Sequence, residues 1–297
     1  MGKMNRRTFL RNTTGALAAS AFLPGMGAAE APALTATTRR TLGKSGLSCS
    51  LLGIGTGTRG RDGATDQTDI PDGGLTRLLE QAYERGITYF DMADRYGSHK
   101  FMREAMKRSI PRDKVMLLTK IWNREPEKMR ADIERIRKEL DTDWLDVALM
   151  HCLREGEDDW PETLKASMDV LSEAKAKGLI RAHGVSCHRM GSLERVAGEP
   201  WADVVLVRVN PFSVNMDGPV ETVVPVIQKI HDAGKGVLGM KILGEGNAEV
   251  VAKKADSLKF ALGLGTVDAM TIGFMNTGQL DEIIGLINKI GGNAPSA

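Results

Sequence analysis

Short apolar runs recur along the whole chain, near residues 51–56, 87–92, 115–121, 144–151, 182–187, 204–209, 236–242 and 269–274. They do not alternate strictly with polar residues, so each reads as a strand buried on both faces of a parallel sheet. Helical periodicity fills the intervals, near 73–85, 99–109, 126–139, 161–177, 191–198, 219–233, 248–262 and 277–289. The fifth of these helices reads as only two turns, and the sixth as starting late. Eight strands, each followed by a helix, predict an α/β protein with a closed (β/α)8 TIM barrel. A doubly wound open sheet is the weaker reading. Its glycine-rich turn could be Gly53-Ile-Gly55-Thr-Gly57-Thr-Arg-Gly60, but a loop of Asp, Thr and Gly follows where a helix should begin.

Ahead of the barrel, Thr41–Ser50 reads as a β-hairpin turning at Lys44-Ser45-Gly46. Residues 30–40 read as a linker, 41–291 as the barrel and 292–297 as a tail. The first 29 residues have a different character. Asn5-Arg6-Arg7-Thr8-Phe9-Leu10-Arg11 is followed by an uncharged stretch from Asn12 to Ala29, with small residues at Gly27 and Ala29. A basic start, an apolar middle and a small-residue end describe an export signal, and the arginine pair resembles the twin-arginine type. This predicts the twin-arginine machinery as a transient partner and a periplasmic or extracytoplasmic location.

Composition narrows the function classes. The chain has 297 residues, of which 42% are hydrophobic, enough to fill one large core. Its formal net charge is +2, and the signal carries four of the 40 basic residues, leaving 36 against 38 acidic ones. No basic face points to nucleic acid or to stable membrane attachment. Cys49, Cys152 and Cys187 form no Cys-x-x-Cys, so neither a disulfide scaffold nor a four-cysteine cluster is expected. His183, Cys187 and His188 lack supporting ligand spacing and read as a surface loop rather than a metal site.

In a (β/α)8 barrel the chemistry lies at the C-terminal ends of the strands. The second strand ends at Asp91 and runs into Tyr96-Gly97, the third ends at Lys120 and the fourth at His151. An ammonium beside a phenol favours the phenolate, and a carboxylate keeps that ammonium charged and in place. An imidazole beside the phenol can orient a substrate oxygen. Together they make a general acid for a carbonyl oxygen that gains negative charge on accepting hydride. No side chain carries hydride, so a nicotinamide cofactor is implied.

Gly86-Ile-Thr-Tyr-Phe-Asp91-Met-Ala-Asp-Arg-Tyr96-Gly97, Leu118-Thr119-Lys120, Asp146-Val-Ala-Leu-Met-His151, Gly184-Val185-Ser186 and Leu243-Gly244-Glu245-Gly246 together resemble the aldo/keto reductase family. The resemblance spans roughly residues 38–289. It implies a barrel with a hairpin over its base and NADP(H)-linked reduction of a small aldehyde or ketone, with NAD also open. Tyr96 is then the proton donor, Asp91 and Lys120 tune it, and His151 orients the carbonyl. Thr56, Ser186, Met240, Lys241, Leu243, Gly244, Gln279 and Glu282 fall at the family's cofactor positions. The family's asparagine, glutamine and tyrosine on the cofactor side are replaced by Cys187, Leu206 and Met240, and Met275 stands where a basic residue often meets the 2′-phosphate. Lys241 can serve a phosphate as a point charge. These departures support an alternative, a regulatory barrel that binds cofactor with little turnover. Arg208 is expected in an internal ion pair, with a substrate carboxylate as its other possible partner.

Overall fold

The computed structural model describes residues 33–60 and 62–292. The expected export signal and residues 293–297 of the tail lie outside the described residues. The described chain opens with an antiparallel hairpin of β1 (Arg39–Thr41) and β2 (Ser48–Ser50). Then follow β3 (Leu52–Gly55), α1 (Gly74–Glu84), β4 (Tyr89–Asp91), α2 (His99–Arg108), β5 (Met116–Ile121), α3 (Pro126–Leu140) and β6 (Leu145–Leu153). The second half runs α4 (Trp160–Thr163), α5 (Lys165–Ala176), β7 (Ile180–Cys187), α6 (Met190–Val196), β8 (Val204–Arg208), α7 (Val220–Asp232) and β9 (Gly236–Met240). It ends with α8 (Ala248–Ala252), α9 (Lys254–Gly263), β10 (Ala269–Gly273) and α10 (Thr277–Gly292).

Strands β3 to β10 pair in parallel in sequence order, and β10 closes on β3. This is the expected (β/α)8 barrel with its N-terminal hairpin. All six residues of β5 are buried, as a strand covered on both faces requires. The core divides by strand parity. Tyr89, Leu118, Leu149, Ala182, Leu206 and Leu238 point into the barrel, while Phe90, Leu117, Met150, Val185 and Val205 pack outward against the helices.

The hairpin stoppers the bottom. Leu42 and Cys49 join the barrel-interior cluster, and the Lys44 amide donates to the Gly234 carbonyl at 2.8 Å. Gly43 permits the approach: its φ is +48°, and a Cβ there would meet the Lys235 carbonyl carbon at 2.3 Å. Of the stretch read as a linker, Ala36 is buried, and its amide donates to Asn288 Oδ1 at 2.9 Å.

Two expected helices are divided. The 161–177 segment breaks at Leu164 (φ −108°, ψ 21°) and the 248–262 segment at Lys253 (φ −109°, ψ 29°). Neither break carries a glycine or proline, so residue type does not register it. Helix α6 has seven residues, the expected two turns. The His183–His188 segment is not a surface loop. His183 and Cys187 are buried on β7, and His183 stacks on Trp201 with centroids 4.3 Å apart. Among the described residues no cluster is suited to hold a metal, and no helix is long and apolar enough to cross a membrane.

Candidate active site

Strand parity decides which side chains reach the barrel mouth. Tyr89 and Asp91 share the inward face of β4, as do Met116, Leu118 and Lys120 on β5. Val147, Leu149 and His151 continue the same face of β6. In each row the lower residues are apolar or aromatic and belong to the interior cluster. The topmost residue is polar and buried. A β-bulge follows Met150, where β6 changes register against β7, and Cys152 takes a φ of +56°. Bulges beside a site aim side chains, here that of His151.

The structure brings all four expected residues together. Lys120 is 2% exposed and its Nζ is ion-paired with Asp91. That ammonium lies 5.0 Å from the centroid of the Tyr96 ring. The Tyr96 hydroxyl lies 3.5 Å from His151 Nε2, and the two rings meet edge to face. Gly57 makes room for the phenol, since a Cβ there would come within 2.2 Å of the ring.

The electrostatics differ from the simple expectation that Lys120 lowers the phenol. Burial pushes the Lys120 ammonium down, against the pull of Asp91. Desolvation and then Asp91 push Tyr96 well above the ordinary tyrosine value. The ammonium is already neutralised by its carboxylate partner, so it acts on the phenol as half of a dipole. A phenol held up in this way keeps its proton at neutral pH. His151 is pushed down by burial, with Asp94 opposing.

Tyr89 and Asp94 were not singled out by sequence reasoning. The Tyr89 hydroxyl reaches Asp91 Oδ2 from below at 3.5 Å. Asp94 Oδ1 lies 3.6 Å from His151 Nδ1. The signal for Tyr89 was available, because it sits two residues before Asp91 on one strand. Asp94 is a loop residue, where parity says nothing.

A cleft of about 410 Å³ runs from Asp91, Tyr96 and Lys120 to the start of α10. Of the expected cofactor residues, Thr56, Met240, Lys241, Leu243, Gln279 and Glu282 line it. Ser186 and Gly244 are buried behind its walls: Ser186 Oγ accepts from the Cys152 amide at 3.3 Å, and the Gly244 carbonyl accepts from Asn215 Nδ2 at 3.1 Å. Thr56 Oγ1 also serves the fold, donating to the Asp91 carbonyl at 2.8 Å. Lys241, expected as a phosphate contact, is paired with Glu245 at 2.5 Å. Gln279 Oε1 accepts from the Met275 amide at 2.8 Å, and Glu282 pairs with Lys254 at 2.6 Å. Leu206 belongs to the barrel interior, and Cys187 is fully buried. Arg208 forms the internal pair, with Asp217, and also donates to the His188 carbonyl at 2.7 Å.

The cleft has features that fit a nicotinamide dinucleotide. Val251 and Met275 are the exposed large hydrophobics among the described residues, and both line it, which suits a flat ring. Thr271 Oγ1 is a buried hydroxyl with no partner on the inward face of β10, another cleft-lining position. Arg59, Lys241 and Lys254 supply cations along the wall, each paired with an acid.

A closed parallel barrel with an acid–base group at its C-terminal mouth and a long cleft beside it defines the class, a (β/α)8 barrel with a candidate active site. The chain belongs to the aldo/keto reductase family, whose model matches residues 51–287. Among curated proteins it is similar to the methylglyoxal reductase DkgB of Salmonella typhi, 27% identical over 157 residues, which cover 49% of this chain and 56% of that protein. It is also similar to methylglyoxal reductase DkgA of Escherichia coli K12, 25% identical over 173 residues, covering 56% and 62%. The chain thus spans roughly half to three-fifths of the length of these relatives. A solved putative aldo-keto reductase from Pseudomonas aeruginosa aligns at 25% identity with a TM-score of 0.71, over 87% of this chain and 97% of that one. The aldo-keto reductase AKR11C1 from Bacillus halodurans, at 18% identity and a TM-score of 0.68, covers 84% of this chain and 90% of its own, and shares the fold.

Proposed function

We propose that this protein reduces a small aldehyde or ketone with hydride from a nicotinamide cofactor, NADPH in the first instance, and that Tyr96 donates the proton. The observation that carries the reading is the Tyr96 hydroxyl, 3.5 Å from His151 Nε2, beside the buried Lys120–Asp91 pair at the head of the cleft. When bound, NAD(P)H supplies the hydride that no side chain can. Met240, Leu243, Val251 and Met275 offer apolar walls for it, and Lys241 offers a charge for its phosphates.

The chain's own residues supply the acid chemistry. A carbonyl oxygen placed between Tyr96 and His151 meets two polar groups while it gains charge. Tyr96 remains protonated at neutral pH and so has a proton to give. Asp91 fixes the Lys120 ammonium below the ring. That charge opposes the negative charge left on the phenol once its proton has gone.

The similar methylglyoxal reductases make methylglyoxal the first substrate to assay, with 4-nitrobenzaldehyde beside it as an activated aromatic aldehyde. Tyr96→Phe deletes one hydroxyl. It should lower kcat by about 10²–10⁴, the contribution of a positioned general acid, while NADPH binding followed by protein fluorescence is retained. Undiminished kcat in Tyr96→Phe removes the proton-donor role. A wild type that binds NADPH yet reduces neither substrate supports a cofactor-binding barrel with little turnover.

A further inference from the structure

Two buried polar atoms at the mouth have no hydrogen-bond partner, Asp94 Oδ1 and His151 Nδ1. They face each other at 3.6 Å, and both side chains are under 10% exposed. The other Asp94 oxygen is fixed, since Oδ2 accepts the Trp122 amide at 2.7 Å. The imidazole is held between two aromatic rings, Tyr96 at 5.6 Å and Trp122 at 5.8 Å, each edge to face. Its position therefore leaves one nitrogen for the carboxylate and the other for the phenol. Unpaired buried acceptors are costly, and hydrogen bonds around catalytic groups often shorten only when substrate binds.

We propose that Asp94 is a positioning residue for His151, its carboxylate holding the imidazole in the Nδ1–H tautomer. The consequence for the reaction rests on the reductase reading above. A neutral His151 of this tautomer presents a bare Nε2, which accepts the Tyr96 proton and draws the phenol away from the substrate. Once protonated, the same ring presents Nε2–H and donates to the carbonyl oxygen, leaving the Tyr96 hydroxyl free to do likewise. Reduction then runs on the imidazolium form. The charged or titratable groups that act on the ring are Asp91, Asp94 and Tyr96 from β4 and its loop, Lys120 from β5 and His188 beyond β7. Of the other groups, His188 is pushed down to about 3, and Lys120 keeps its Asp91 partner whatever stands at position 94. The loss of rate with rising pH is therefore assigned to His151.

Asp94→Asn isolates the effect. The amide oxygen can keep the Trp122 contact, while its NH2 faces Nδ1 and donates. That reverses the ring to the Nε2–H tautomer, which is a donor to the carbonyl at every pH. In 15N-histidine NMR, with His151 assigned by its loss in His151→Gln, neutral wild type should show Nδ1 protonated and Asp94→Asn should show Nε2 protonated. The kcat of wild type should decline as pH rises from 4.5 to 6.5, a window below the ordinary imidazole value because burial pushes His151 down, and that of Asp94→Asn should be flat over the same range. Nε2–H in the wild type, or the same tautomer in both proteins, overturns the proposal. So does a variant whose profile runs parallel to the wild type at a uniformly lower rate. A wild type without reductase activity would defeat the reductase reading, whereas the tautomer measurement would still decide the role of Asp94.

Discussion

Replacing Asp91 with Asn tests whether the buried charge pair is the foundation of the site. Lys120 is 2% exposed and Asp91 3%, and no other carboxylate is paired with Lys120 among the described residues. Breaking a buried pair by neutralising one member costs about 3–5 kcal/mol, because the remaining charge is left without compensation. Asn keeps an oxygen that can face the ammonium, so the lower end, about 3 kcal/mol, is expected. For a chain of this size that corresponds to a fall in Tm of about 6–12 °C at pH 7. The pH dependence has a definite sign. In the unfolded chain Lys120 binds its proton up to about pH 10.4. In the folded wild type burial already pushes it below that value, and losing Asp91 lowers it further. The added penalty is therefore full below the variant's own Lys120 value and shrinks to nothing as pH rises to the depressed value of the folded wild type. Urea unfolding followed by circular dichroism, on wild type and variant at pH 6.5 and 9.5, separates this effect from other titrations. A stability loss equal at both pH values would show that the cost is steric rather than a stranded charge. No loss at either would refute the pairing as a source of stability.

Two further perturbations probe the walls of the site. Gly57→Ala places a Cβ 2.2 Å from the Tyr96 ring and 2.7 Å from its hydroxyl; it should displace the phenol by about 1 Å and lower kcat roughly 10²-fold, with a largely preserved Tm, and an unchanged kcat would show that Tyr96 moves freely. Lys241→Ala leaves Glu245 facing the cleft without its cation. It should weaken NADPH binding in a fluorescence titration by about tenfold, the worth of one charge-assisted hydrogen bond. An equal loss for NADH places Lys241 at the pyrophosphate, and no loss for either removes it from the site.

The barrel was legible because its signal repeats. Eight unalternating apolar runs admit one economical closure, and the C-terminal ends of three of them carry Asp91, Lys120 and His151. The same parity that buries Leu118 inside the barrel carries Lys120 two residues on to the mouth. The helix breaks at Leu164 and Lys253 were not legible, because backbone angles change there with no glycine or proline to mark them. Loop partners were legible only by motif. Arg59–Asp66, Lys241–Glu245 and Lys254–Glu282 each tie a cleft cation to an acid, and none of these pairs follows from strand spacing.

The electrostatics of Tyr96 show where residue type alone misleads. Lysine beside tyrosine implies an acidified phenol, yet the ammonium is spent first on Asp91 and the ring is desolvated. A proton donor gains from that arrangement. On the proposed reductase reading the phenol must recover a proton between turnovers, and a site that holds Tyr96 up favours the protonated state without a dedicated base. The acid must then be activated only while charge develops on the carbonyl oxygen. The fixed Lys120–Asp91 dipole acts throughout, so any adjustment with pH falls to the imidazole on the other side of the phenol. Asp94, 3.6 Å from that imidazole and invisible to strand parity, is therefore the residue through which, on the proposed reading, this barrel would set the pH range of its chemistry.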